Sequence, residues 1–123
     1  FKYLEDASLI RSLVKGHHKL NHINSPEKVY LDNPNQMCAL SLGDHNTGTG
    51  REIFFLDMLS LNHQITLPLK GDFLVDGKCL FEIGGKKKSF SQLAGEKNAF
   101  LACDDSESGF GSKIPLWLFG FLY

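Results

Sequence analysis

Apolar and polar positions follow two different periods along this chain, and the changes of period mark its elements. Between residues 71 and 84, GDFLVDGKCLFEIG holds two short apolar runs that meet at Asp76-Gly77. That pattern predicts a β-hairpin, because Asp-Gly tolerates the positive φ of a tight turn. Residues 64–68 and 98–103 read as two further strands. Helical spacing predicts a helix over 3–14, where Leu4, Leu9, Ile10, Leu13 and Val14 fall on one stripe. A second helix is expected over about 50–62, rich in Phe54, Phe55, Leu56, Met58 and Leu59. Between them, Lys28 to Leu31 is a short strand, and Pro34, capped by Asn33, opens a helix to about Leu42. A short helix is predicted over 89–95 and another beginning near Pro115, within the apolar run KIPLWLFGFLY.

From residue 50 onward the order is helix, three strands, helix, strand, which is the pattern of an α/β protein with a mixed sheet. Strand 98–103 should run parallel to strand 78–84, with the short helix as the crossover. The polar stretch from Lys15 to Lys28 reads as a loop or arm. Its His17, His18 and His22 share no spacing with a carboxylate or cysteine and read as solvated loop residues. Trp117, Phe119 and Phe121 cannot all face one small core, so the C-terminal segment suggests an interaction role.

At 123 residues the chain has the length of one domain, and its opening on Phe1 suggests a piece of a longer protein. Lys plus Arg number 13 against 14 Asp plus Glu, so no global basic field recruits nucleic acid and any binding needs a local patch. Cys38, Cys79 and Cys103 lack CxxC spacing, and the latter two sit in apolar runs as small hydrophobes rather than zinc ligands. No signal peptide and no apolar run of ~20 residues is present, so a soluble cytoplasmic protein without membrane contact is expected. The loop GDHNTGTG at 43–50 resembles a phosphate-binding loop but is followed by Arg51-Glu52 instead of Lys-Ser/Thr, which argues against nucleotide binding.

The chemistry concentrates in the hairpin. Asp72 begins its first strand and Glu82 lies late in the second, among Leu80, Phe81 and Ile83. A carboxylate in an apolar strand is costly unless paired, hydrated or holding a cation, so two on neighbouring strands suggest a cation site. Structural alternatives stand beside this. Glu52 has capping-box spacing from Thr49. Asp72 could bond loop amides, and Glu82 could pair with Lys86, Lys87 or Arg51. Gly84-Gly85-Lys86-Lys87-Lys88 is either a phosphate cradle near a helix N-terminus or a solvated turn. If nucleic acid binds, Lys86, Lys87 and Lys88 are the first candidates, and Lys15 and Lys19 the next. A two-residue turn at Asp76-Gly77 would place Asp72 and Glu82 on opposite faces. A shared site needs one extra residue or a bulge near Asp76 to Lys78.

With Glu52 on the helix, Asp72 on the second strand and Glu82 on the third, the order resembles the αβββαβ core of PD-(D/E)xK, restriction-endonuclease-like nucleases. More closely, LEDASLIRSL at 4–13, KVYLDNPN at 28–35, GTGREIFFLDML at 48–59, GDFLVDGKCLFEIGGKKKSFSQL at 71–93 and GFGSKIPLWLFGFLY at 109–123 resemble the C-terminal domain, of unknown function, of bacterial and archaeal AAA-superfamily ATPases. The resemblance implies a helical connector and polar arm at 1–27, a nuclease-like domain at 28–123, and an N-terminal ATPase module in the same full-length chain as partner. It also implies that Asp72 and Glu82 bind Mg²⁺, that Glu52 completes the site, and that a lysine two residues after Glu82 orients or deprotonates water. That position is Gly84. Lys86 lies ~13 Å from Glu82 along an extended strand, beyond a lysine's reach, as does Lys78. The resulting expectation is a non-catalytic domain for DNA or partner recognition. The alternatives are a Mg²⁺-dependent DNA endonuclease with a migrated lysine and a structural module docking on the ATPase.

Overall fold

The computed structural model describes residues 1–16 and 26–122. His17, His18, Lys19 and His22 lie outside the described residues.

The hairpin forms as its sequence dictates. β3 (Ile65–Thr66), β4 (Phe73–Val75) and β5 (Cys79–Gly84) make an antiparallel meander. Asp76 and Gly77 take φ of 52° and 66°, and the Lys78 amide donates to the Val75 carbonyl at 3.0 Å. Two positive φ values in a closed four-residue turn are the primed geometry that suits strand twist. The ladder then pairs Val75 with Cys79, not with Lys78, so one extra residue sits in the connection. Phe73 faces Phe81, which brings Asp72 level with Glu82. This is the register a shared site requires.

β6 (Ala99–Cys103) pairs parallel to β5, as expected, and β7 (Lys113–Pro115) pairs parallel to β6. The five-stranded sheet therefore has the order β3-β4-β5-β6-β7 and is mixed. The crossover from β5 to β6 carries only a 3-10 turn at Ser91–Leu93 in place of the helix expected over 89–95. The C-terminal run likewise enters as a strand and continues as a 3-10 segment, Leu116–Phe121. Phe119 is buried while Trp117 and Phe121 are exposed, so the three aromatics do divide between core and surface.

The stripe over 3–14 is not one helix. Helix α1 covers Lys2–Asp6, and Ile10–Leu13 is strand β1. β1 pairs antiparallel with β2 (Lys28–Leu31), and Arg11 is held to Asp32 by an ion pair of 2.9 Å. This ribbon crosses residue 27, where the sequence reading divides arm from domain, and Leu13 enters the same core as Tyr30. Beyond the ribbon, the Leu67 amide donates to the Val14 carbonyl at 2.9 Å and ties it to the sheet.

Helix α2 (Pro34–Leu40) begins as predicted, with Asn33 Oδ1 accepting from the Gln36 amide. Helix α3 (Thr47–Leu59) starts earlier than predicted because Asn46, not Thr49, is its cap, accepting from the Thr49 amide at 3.0 Å. α3 lies on one sheet face. Its fully buried Phe55 packs against Phe73, Phe81 and Phe119 at ring distances of 5.0–5.5 Å. Phe81 and Ile83 join this main core, whereas Leu80, with Leu93 and Ala99, forms a smaller cluster. Strand alternation puts Glu82 on the Leu80 side of β5. Cys103 is buried, Cys79 half-buried and Cys38 exposed, all as free thiols. Among the described residues no helix is long and apolar enough to cross a membrane.

Candidate active site

The sheet and α3 converge three carboxylates on one corner. Asp72 closes the β4 end of the hairpin: its amide donates to the Phe81 carbonyl, and its Oδ2 accepts from the Ile83 amide at 2.7 Å. The carboxylate thus stands in for a backbone acceptor beside Glu82. The backbone partner expected of Asp72 is a strand amide, and among the described residues it engages one of the two oxygens. Burial pushes the Asp72 carboxyl above its usual range; the Ile83 N–H opposes that rise, and the charges of Glu82 and Glu52 add to it. Three acidic groups therefore feel one another here.

Glu52 lies in the second turn of α3, away from the cap, so the capping-box alternative is removed. Its Oε2 accepts from Lys28 Nζ at 2.9 Å and from the Tyr30 hydroxyl in a short hydrogen bond. Tyr30 is buried, and both burial and the Glu52 hydrogen bond raise its pKa, so it stays a neutral donor. Sequence reasoning passed over Lys28 and Tyr30. Their two-residue spacing on a strand, which puts them on one face, was the available signal, together with the need of a buried tyrosine for a hydroxyl partner.

Glu82 is 3 % exposed, the one buried charged side chain among the described residues. It does not pair with Lys86, Lys87 or Arg51. Lys88 Nζ lies 2.7 Å from its Oε1. With its side-chain amide assigned nitrogen-inward, the orientation that satisfies both groups, Gln92 donates to the same carboxylate at 3.0 and 3.3 Å. Bonding to Glu82 raises the Lys88 pKa against the effect of burial, with further support from the charges of Asp72 and Glu52. Lys88 is therefore a held ammonium.

The route by which Lys88 arrives is the central feature. A Cβ placed on Gly84 would lie 2.5 Å from Lys88 Cγ and 2.6 Å from its Cβ. The Lys88 side chain thus fills the space a side chain at position 84 would claim. The chain turns back immediately after β5, with the Lys88 amide donating to the Gly85 carbonyl at 2.9 Å. The Asp104 amide binds the Gly84 carbonyl at 2.7 Å, and the Cys103 thiol donates to the Gly85 carbonyl at 3.2 Å. Arg51, anchored on Asp104 at 2.8 Å, lies against Gly85, where an added Cβ would be 3.1 Å from its guanidinium. Only the 3-10 turn at Ser91–Leu93 follows these glycines, five residues beyond Lys86, so the phosphate cradle at a helix N-terminus is not formed.

The sequence-predicted groups therefore part company. Asp72, Glu82 and Glu52 share a corner with Lys88, while Lys86 contributes its carbonyl to Lys113 Nζ at 3.5 Å. Lys86 and Lys87 make no ion pair among the described residues. Lys15 pairs with Glu27. Among the described residues no three His, Cys, Asp or Glu side chains gather closely enough to cage a metal. Among the described residues Asp72 engages a donor through Oδ2 alone, while Glu82 is met by the Lys88 ammonium.

Compared with known proteins, the chain matches no family model, no curated protein and no solved structure.

Proposed function

We propose that this chain is a Mg²⁺-dependent DNA endonuclease domain of the PD-(D/E)xK, restriction-endonuclease-like kind, whose site lysine has migrated from position 84 to Lys88. The observation that carries the reading is the Lys88 side chain lying over Gly84 with its ammonium 2.7 Å from Glu82. The chain does not run on extended after Glu82: it turns back between Gly85 and Lys88, which brings a lysine within reach of that carboxylate. The register of Asp72 against Glu82 and the parallel β5–β6 pair support the αβββαβ core.

In this reading Asp72 and Glu82 hold Mg²⁺, which, when bound, polarises a phosphoryl oxygen and acidifies water. Lys88, kept protonated by its surroundings, is a donor and not a base: it orients the attacking water and offsets negative charge on the phosphoryl oxygens. The water oxygen bonds to phosphorus, one P–O ester bond breaks, and the water's proton ends on the departing alkoxide. Tyr30 and Lys28 hold Glu52 in place beside the two ligands. A place C-terminal to an ATPase module in one longer chain accords with the resemblance and would bring DNA to this corner.

Cleavage of plasmid DNA in Mg²⁺ tests the reading. Lys88→Ala should lower the rate by about 100-fold, and adding Gly84→Lys to that variant should restore much of it. Glu82→Ala should abolish cleavage. An inactive wild-type chain that still binds DNA would favour the second reading, non-catalytic recognition. The buried Glu82–Lys88 pair, complete without a metal, is the observation on that side.

A further inference from the structure

Beside the carboxylate corner lies a cavity of about 360 Å³ between α2, α3 and the C-terminal 3-10 segment. Met37, Phe54 and Leu116 supply apolar walls, and Arg51 and Asp104 edge it. Trp117 completes it. This indole is 50 % exposed, yet it is held still, with Nε1–H donating to the Ser106 carbonyl at 3.1 Å and its edge against Phe121 at 6.0 Å. A fixed aromatic with a free face is a stacking platform for a planar group.

Arg51 lies between this cavity and the turn that carries Lys88. That residue precedes Glu52 on α3, and its guanidinium rests against Gly85, the neighbour of the Gly84 that Lys88 crosses. A strand whose phosphate sits at Glu82 and Lys88 would pass Arg51 and bring its next base to the cavity. We propose that this cavity receives an unpaired nucleobase of the substrate strand, flanking the scissile phosphate, stacked on Trp117 with its polar edge toward Arg51 and Asp104. This rests on the nuclease reading for the position of the phosphate. It adds the substrate class, a strand with at least one base out of the duplex. The volume lies within the range of small-molecule sites, and a base buried on an aromatic platform gains enough to be measured.

Trp117 is the single tryptophan of the chain, so it reports on its own cavity. The experiment is a fluorescence titration of the whole chain with a short oligothymidylate in the absence of divalent metal, beside an abasic strand of equal length. Saturable quenching by the oligothymidylate is expected, with the abasic strand binding about tenfold more weakly and leaving the emission unchanged. Cys38→Phe, which narrows the cavity from its exposed side, should weaken the oligothymidylate alone by a similar factor. Equal quenching by both strands, no quenching by either, or indifference to Cys38→Phe overturns the proposal. A chain that cuts DNA without quenching loses the base site and keeps the nuclease reading. A chain that quenches but does not cut in Mg²⁺ loses the nuclease reading and keeps the base site.

Discussion

A carboxylate as buried as Glu82 is tolerated only if a cation or several donors meet it, and Lys88 and Gln92 do so. Asp72 is placed less comfortably. Its folded-state pKa is raised, chiefly by burial, which prevails over the Ile83 N–H, and the charges of Glu82 and Glu52 add to the rise. A raised acid pKa means that the folded chain holds this proton more tightly than the unfolded chain does. Its contribution is most favourable in acid, falls as pH climbs from the ordinary carboxylate value through the raised one, and leaves a cost at neutral pH. Asp72→Asn keeps an oxygen for the Ile83 amide and removes the charge. Thermal unfolding of this variant should therefore show a Tm a few degrees higher near neutral pH, converging with wild type in acid, while cleavage falls by about 100-fold or more. A lower Tm at neutral pH would make Asp72 a strand cap and nothing more. A stabilising loss of an acid is what a residue retained for chemistry should give.

At the scale of elements, the turn after β5 decides whether the site is complete. Gly84 leaves room for Lys88 to lie across it, so Gly84→Ala places a methyl 2.5 Å from Lys88 Cγ, closer than side-chain carbons approach. The lysine must leave, and Glu82 then loses its ammonium while Gln92 remains. The expected result is a loss of about 1–3 kcal/mol in denaturant unfolding, with cleavage reduced as in Lys88→Ala. An alanine variant with wild-type stability and activity would remove Lys88 from the site. What the sequence made legible here was local. Asp76-Gly77 announced the hairpin, Asn33-Pro34 announced α2, and Asp72 and Glu82 stood out as acids in apolar runs. What it hid depended on distant partners. Leu9, Ile10, Leu13 and Val14 have helical spacing, and a strand divides them between two faces, so the strand is selected against the local pattern by pairing with Lys28–Leu31. The reach of Lys88 was hidden for a similar reason, since Asp104, Cys103 and Arg51, which fasten the turn, come from elsewhere in the chain.

For the whole molecule, charge balance limits how nucleic acid could be held. The formal net charge is −1, so no long-range field gathers DNA, and affinity must come from a few lysines near the corner. Several basic residues are already committed: Lys28 to Glu52, Arg51 to Asp104, Lys88 to Glu82. Lys86 and Lys87, exposed on the same turn and without ion pairs among the described residues, are placed to meet phosphates there. Each phosphate neutralised contributes roughly 0.9 to the slope of log K against log salt concentration on duplex DNA. Replacing Lys86 and Lys87 together with Ala should therefore reduce that slope by about 2 and raise KM. The maximal rate should be largely spared, because Lys88 stays on Glu82 and Asp72 stays on the Ile83 amide. Binding isotherms across a salt series, with kcat and KM measured on the same DNA, separate the two effects. An unchanged slope would mean that DNA does not approach along this turn, and a collapse of kcat would mean that the turn, not the charge, had been lost.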